Sequence, residues 1–167
     1  YGGKGIYLGG EDILAFVPVS CISKDLNHNE TIFSLVKNID EVFDKTVREY
    51  CRNNDMTLPS MSYGIMISYY KFPMKEAMEE AYHQLDEVAK NEDGKNTIAI
   101  KFQKHSGQYF DCMINKNNID SLKFLYHLVN QYSQNLNEKS QEILSSIVHR
   151  FSDETFVELY LNALKNG

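Results

Sequence analysis

No C-x-x-C pair occurs in the chain, and its three cysteines, Cys21, Cys51 and Cys112, are odd in number and widely spaced. That pattern argues against a disulfide framework and offers no structural zinc site. A reducing cytoplasm is the compartment it implies. No run of about eighteen apolar residues is present, so no transmembrane span and no membrane partner are expected. No basic, apolar, small-residue leader opens the chain, so nothing points to export. A basic surplus is missing too: 17 Lys and Arg stand against 23 Asp and Glu, a net charge of -6. Free-standing nucleic-acid binders display a basic face, because phosphate contacts supply most of their affinity. A chain of this balance would handle nucleotides in a local pocket, with bound cations offsetting its own acidity. For net charge alone, a surface that keeps the protein in solution is the simpler account. What is present, 43% hydrophobic and 24% charged residues over 167 positions, fits one ordinary soluble domain or a domain with a small appendage.

The apolar pattern orders the elements. Ile6-Tyr7-Leu8 and Ile13-Leu14-Ala15-Phe16-Val17 flank Gly9-Gly10-Glu11-Asp12 and read as a β-hairpin that Pro18 ends. From about Asn29 the period changes to three and four. Ile32, Leu35, Val36, Ile39, Val42, Phe43, Val47, Tyr50 and Cys51 form one stripe of a long amphipathic helix. Asn27 or Asn29 would cap it, and Asn53-Asn54-Asp55 would close it. Residues 60–70 read as a strand with Gly64 near its centre, a position that often marks close approach of another backbone or a ligand. Phe72-Pro73 starts a second helix, with Ala77, Met78, Ala81, Leu85, Val88 and Ala89 on one face. A second hairpin spans 97–104 and 108–114, turning at His105-Ser106-Gly107. Three helical patterns follow, 119–132, 138–149 and 154–164, the last capped by Ser152.

The expected fold class is therefore α+β, with one domain over 1–116 and a small all-helical domain over 117–167. The order hairpin, helix, strand, helix, hairpin matches a ferredoxin-like β-α-β-β-α-β unit from its second strand onward. Its first strand and helix are missing, which would leave a strand edge unpaired. The chain is expected to be a piece of a larger polypeptide.

Gly9-Gly10-Glu11-Asp12 is the segment with chemistry to offer. Two glycines let the backbone turn sharply and let a bulky polyanion approach without a Cβ in the way. Two adjacent carboxylates supply hard oxygen ligands for Mg²⁺, which favours carboxylates together with substrate phosphates. Phosphoryl transfer needs mainly positioning and charge neutralisation, and two metals clamp the attacking and leaving oxygens. As four residues alone the motif is an ordinary turn. A strand before it, a strand after it and then a long helix raise the functional reading.

In this context Tyr7-Leu8-Gly9-Gly10-Glu11-Asp12-Ile13-Leu14-Ala15 resembles the palm-domain signature of the large subunit of type III CRISPR effector complexes, most of all its III-B (Cmr) branch. Ser62-Tyr63-Gly64-Ile65, running on to Tyr70-Lys71-Phe72-Pro73, is similar to that family's strand and helix start. The helix over 77–90 resembles its next helix, and also that of diguanylate cyclases. Ile98-Ala99-Ile100 with Lys104-His105-Ser106-Gly107 resembles its following hairpin. The resemblance covers most of 1–114; the helical tail suits the family's C-terminal helical domain more loosely. It implies a nucleotidyl cyclase-type palm that makes cyclic oligoadenylates from ATP when the complex holds target RNA. Its implied partners are ATP, the other effector subunits, and guide and target RNA reached through the complex. Glu11 and Asp12 would be catalytic and would ligate Mg²⁺ or Mn²⁺ in a two-metal site, completed by residues outside this chain. Gly9 and Gly10 would give the nucleotide room. Lys90 matches a triphosphate-contacting lysine of related cyclases, with Lys71 a second candidate for that role. Glu11 stands where the family usually has Asp, and glutamate still ligates Mg²⁺. Because palm domains take a further ligand from their first strand, the fragment alone is expected to be inactive.

Plainer roles compete at each remaining position. Lys90 near a helix C-terminus favours the dipole in any case, and Lys71 suits a solvated strand end. His105 and Ser106 lack the third group and the nucleophile elbow that a catalytic pair needs. His28, His83, His127 and His149 have no metal-ligand spacing. Tyr63, Tyr69 and Tyr70 could stack on a base, although alternation favours core packing for at least one face. Met56, Met61, Met66, Met74 and Met78 read as core filler. Two other functions stand beside cyclic oligoadenylate synthesis. A diguanylate cyclase would carry Glu-Phe after Gly-Gly-Asp/Glu, where this chain has Asp12-Ile13. A non-catalytic scaffold would keep the palm only to dock neighbouring subunits.

Overall fold

The computed structural model describes residues 2–22, 29–92, 95–121 and 123. These fall into two compact units, one running up to Thr57 and one beginning at Leu58. In the first, β1 (Lys4–Gly9) and β2 (Asp12–Phe16) pair antiparallel. Gly5 faces Ala15 and Tyr7 faces Leu14, so Ile6 is the extra residue of a bulge, a feature that bends and twists a strand locally. β3 (Ser20–Ile22) and β4 (Asn29–Thr31) also pair antiparallel. This small hairpin has no sequence signal, because three residues are too few for a period to register.

Thr31, rather than Asn27 or Asn29, caps the first helix. Asn29 is taken up in β4, and Asn27 lies outside the described residues. β4 delivers Thr31 in extended geometry. Its hydroxyl accepts from the Ser34 N–H at 3.2 Å, while the Ser34 hydroxyl accepts from the Thr31 N–H at 2.8 Å. That reciprocal pair satisfies two donors the helix start would otherwise leave open. The helix runs as α1 (Ile32–Phe43), a π-helical turn π1 (Asp44–Arg48) and α2 (Glu49–Asn53). It closes at the expected place, where Asp55 takes φ +52°. Ile32, Phe33, Val36 and Cys51 are buried, but Val42, Val47 and Tyr50 of the expected stripe are exposed. Periodicity defines a face; whether another element covers that face is a tertiary matter.

In the second unit β5 (Tyr63–Ser68) pairs parallel with β6 (Thr97–Gln103), and β6 antiparallel with β7 (Tyr109–Asn115). Parallel neighbours need a crossover. Here it is α3 (Met74–His83) continued by π2 (Gln84–Ala89), entered at Pro73 as expected. Gly64 is where this crossover meets the sheet. A Cβ there would overlap the Ala81 carbonyl and the Leu85 amide nitrogen and lie 2.7 Å from Leu85 Cβ. The helix backbone itself rests on the strand. Glu80 ties the helix to β6: its Oε1 lies 3.0 Å from Lys101 Nζ and accepts from Gln84 Nε2 at 3.1 Å. Burial raises the Glu80 pKa, but the hydrogen bonds from Gln84 and Lys101 and the charges of Lys101 and His83 outweigh it, so the net shift is downward. Ala89, Thr97, Ile98, Ala99, Ile100 and Ile114 are buried about the central strand.

Asn118 starts a further helical turn, its Oδ1 accepting from the Asp120 and Ser121 N–H groups at 2.9 and 3.4 Å. The rest of the expected helical domain over 117–167, Ser152 included, lies outside the described residues. The mixed α+β class holds, and over residues 4–115 the expected elements occur in order with the β3–β4 pair added between the first hairpin and the helix. The strands hydrogen-bond as three separate sheets, β1–β2, β3–β4 and β5–β6–β7, so no single ferredoxin-like sheet forms among the described residues. Among the same residues no helix is long and apolar enough to cross a membrane.

Candidate nucleotide site

The β1–β2 hairpin turns through two residues, Gly10 and Glu11, closed by the pair Gly9 and Asp12. Gly10 takes φ +60°, whereas Glu11 is not among the residues at positive φ. A glycine at the first central position is what a type II′ turn requires, and that turn matches the twist of its strands. A Cβ at Gly10 would meet nothing within 4 Å, so the backbone angle, and not crowding, selects glycine there. At Gly9 the reason differs. A Cβ would stand 2.6 Å from the Tyr7 hydroxyl oxygen and 2.8 Å from Tyr7 Cζ, so the Tyr7 ring lies along the strand over Gly9.

Directly opposed residues share a face and neighbours alternate. Tyr7, Asp12 and Leu14 therefore lie on one face of the hairpin, and Leu8 and Ile13 on the other. In sequence Tyr7 stood in an apolar run and at the start of the palm signature, with no role assigned to it. Its position two residues before the first motif glycine is the signal that would have placed it beside the acids. Glu11 and Asp12 are both exposed. Their hard oxygens suit Mg²⁺ or Mn²⁺, and their exposure leaves room for phosphate oxygens and water to complete a coordination shell. Among the described residues no His, Cys, Asp or Glu joins them to make a group of three.

Lys90 and Lys71 are not brought together. Lys90 ends π2, its N–H donating to the Leu85 carbonyl at 2.9 Å and its Nζ 2.9 Å from Asp86 Oδ1. Lys71 sits beyond the end of β5, its Nζ 5.4 Å from the centroid of the Tyr70 ring. The helix between them runs from Met74 to Ala89, which at helical rise is more than about 20 Å. One triphosphate reaches only one of them.

The other residues weighed from sequence settle into plainer places. His105 is a turn residue whose ring meets Tyr69 edge-on at 4.5 Å, in a turn closed by the Gly107 N–H donating to Lys104 at 3.0 Å. His83 lies 3.6 Å from Glu80, and His28, His127 and His149 fall outside the described residues. Met61, Met66 and Met78 are half-buried, but Met56 and Met74 are exposed and fill no core; both lie outside the strands and outside the covered helix face. Tyr63 is half-buried beneath Lys116, whose Nζ is 4.6 Å from the ring centroid, while Tyr69 and Tyr70 lie beyond the end of β5, off its alternation. Burial pushes the Cys112 thiol up to about 12, with Asp111 adding to the rise, so this cysteine is inert at neutral pH.

The described residues thus form an α+β layout: an acid-tipped, glycine-turned hairpin followed by a helix, a strand and a crossover helix. Comparison with known proteins makes this specific. The family model of the Cas10/Cmr2 second palm domain matches residues 1–99. The CRISPR system Cmr subunit Cmr2 of Pyrococcus furiosus is 36% identical over 111 residues, 65% of this chain. The chain belongs to the Cas10/Cmr2 palm-domain family. It spans 11% of the length of that curated relative.

Proposed function

We propose that the chain is part of the large subunit of a type III CRISPR RNA-guided effector complex, in which this palm converts ATP to cyclic oligoadenylates when target RNA is bound. Its partners are then the other effector subunits, with guide and target RNA reached through them, in the cytoplasm. The observation that carries the reading is the pair of adjacent exposed carboxylates, Glu11 and Asp12, on a two-residue glycine turn in a chain of this family.

In this reading Glu11 and Asp12 hold Mg²⁺ or Mn²⁺. Bound there, the metal supplies charge neutralisation to an in-line attack by a ribose hydroxyl on an α-phosphate, with pyrophosphate leaving. The chain's own part is positional. Gly10 directs the two acids outward through its positive φ, and its missing side chain leaves space for the nucleotide, whereas the space beside Gly9 is taken by the Tyr7 ring. Lys90, drawn partly from Asp86, neutralises the triphosphate. Lys71, at the far end of the crossover helix, is the second candidate for that contact.

The test assembles the full-length protein with guide and matching RNA, supplies ATP or GTP with Mg²⁺ or Mn²⁺, and identifies products by mass spectrometry. Cyclic adenylates are expected, reduced at least about a hundredfold by Glu11→Ala with Asp12→Ala, the scale on which lost transition-state charge stabilisation acts. Cyclic di-GMP would instead make it a diguanylate cyclase. No product and no nucleotide binding would leave a docking scaffold and remove the roles given to both acids.

A further inference from the structure

Tyr7 is the side chain of the acid-tipped hairpin whose placement packing alone does not explain. It is 52% exposed. It shares a face with Asp12, since Tyr7 pairs with Leu14 and Gly9 with Asp12. A Cβ at Gly9 would stand 2.6 Å from the Tyr7 hydroxyl oxygen, 2.8 Å from Cζ and 3.3 Å from Cε2. The ring therefore runs along β1 toward the turn, hydroxyl end foremost. An aromatic ring laid over a strand glycine shields its backbone, but a phenylalanine would do that equally well. The hydroxyl needs a separate reason, and it lies at the end of the ring nearest the acids.

Directly opposed residues have Cβ positions about 4.5–5.5 Å apart, which puts the hydroxyl within about 8 Å of the Asp12 Cβ. That gap accommodates a carboxylate-held divalent cation and a phosphate oxygen on it, given metal–oxygen distances of about 2.1 Å and a hydroxyl hydrogen bond of about 2.7 Å. Ionised Glu11 and Asp12 accept hydrogen bonds and donate none. Phosphate oxygens also accept, so a nucleotide at this tip calls for a donor. From Lys4 to Phe16 the donor side chains are Lys4 and Tyr7. Lys4 pairs with Phe16 at the open end of the ribbon, which leaves Tyr7 as the donor at the acids' end.

We propose that Tyr7 is a phosphate-binding residue of this site, its hydroxyl donating to a phosphate oxygen of the nucleotide held at Glu11 and Asp12. The inference rests on the assignment of those acids to a nucleotide site and adds a residue to it. It also accounts for Gly9, which is not among the residues at positive φ: the missing Cβ lets the Tyr7 ring lie down toward the acids.

The test uses the full-length protein without target RNA. Mn²⁺ binding is read by electron paramagnetic resonance, and labelled ATP or inorganic tripolyphosphate by equilibrium dialysis at saturating Mn²⁺. Tyr7→Phe keeps the ring and removes the donor. It should leave Mn²⁺ affinity unchanged and weaken ATP and tripolyphosphate alike by about tenfold or more, the scale of a hydrogen bond to a charged group. Gly9→Ala displaces the ring and should cost about as much, and the two changes together no more than either alone. Unchanged ATP affinity in Tyr7→Phe overturns the proposal. So does a loss confined to ATP, which would put the hydroxyl on base or sugar, and so does full additivity of the two substitutions. An equal loss of Mn²⁺ overturns it as well, by making Tyr7 a support for the acids. Glu11→Ala with Asp12→Ala keeps the two levels apart. Lowered ATP affinity there, with Tyr7→Phe unaffected, removes Tyr7 alone; unchanged affinity in the acid variant removes the nucleotide site and this proposal with it.

Discussion

Hairpin β1–β2 turns through two residues and leaves Leu8 73% and Ile13 60% exposed; hairpin β6–β7 turns through residues 104–108 and holds Ile98 and Ile100 at 0% and 1%. Both are apolar strands about a glycine-containing turn, yet among the described residues only the second has a third strand beside it and a crossover helix against its sheet. A two-stranded ribbon alone is marginally stable in water. The first hairpin carries the acids, and its geometry comes from local devices: the II′ turn at Gly10, the Tyr7 ring over Gly9 and the bulge at Ile6. The second carries almost none of the candidate chemistry in its strands, but buries Thr97, Ile98, Ala99, Ile100 and Ile114. Packing secures one, and turn chemistry shapes the other.

The widest expected separation between them is in the energetics of their apolar residues. Ile98→Ala should lower the free energy of opening for β6 and β7 amides by about 2–5 kcal/mol, the range for emptying a packed site. Ile13→Ala should change that of β1 and β2 by less than about 0.5 kcal/mol. Hydrogen exchange on the full-length protein measures both at once. Equal losses would break the comparison and show that the first hairpin is packed in the whole protein.

The two kinds of glycine sharpen it next. Gly64→Ala pushes a methyl group into the helix backbone at Ala81 and Leu85 and should cost about 1–3 kcal/mol through overpacking. Gly10→Ala meets no atom and should cost about 1–2 kcal/mol, from its left-handed backbone alone. Exchange rates in β5 and in β1–β2 report the two separately; a disturbance of β5 from the Gly10 variant would contradict the local origin assigned to that turn.

The smallest effect concerns Glu80, which links the crossover helix to β6. Its pKa in the folded state lies below the ordinary value of 4.5. It therefore contributes stability that is present above about pH 4.5 and fades as pH falls through the lowered value. Glu80→Gln should flatten the acid limb of a stability-against-pH profile for the second unit and leave β1–β2 exchange unchanged. Because the pair is partly exposed, salt should shrink the difference. A steeper acid limb in the variant would reverse the sign and remove Glu80 from that role.

Much of this was legible in sequence because it is written locally. The Gly9-Gly10-Glu11-Asp12 turn, the order of helices and strands, the entry at Pro73, the close approach at Gly64 and the turn at Gly107 each follow from a few adjacent residues and a period. The cap at Thr31 was missed because β4 is three residues long and sets up the extended geometry that the cap needs. Tyr7 was missed because its role depends on which face it shares with Asp12.

What tertiary structure alone decided is which surfaces meet. Spacing could place Val42, Val47 and Tyr50 on one helix face, but not say that the face stays exposed. It could offer Lys71 and Lys90 as two lysines for one triphosphate, but a crossover helix between parallel strands sets them at opposite ends. Sequence patterns record the conformation of neighbours along the chain; contacts between distant segments depend on strand pairing and crossover length, which no local period encodes.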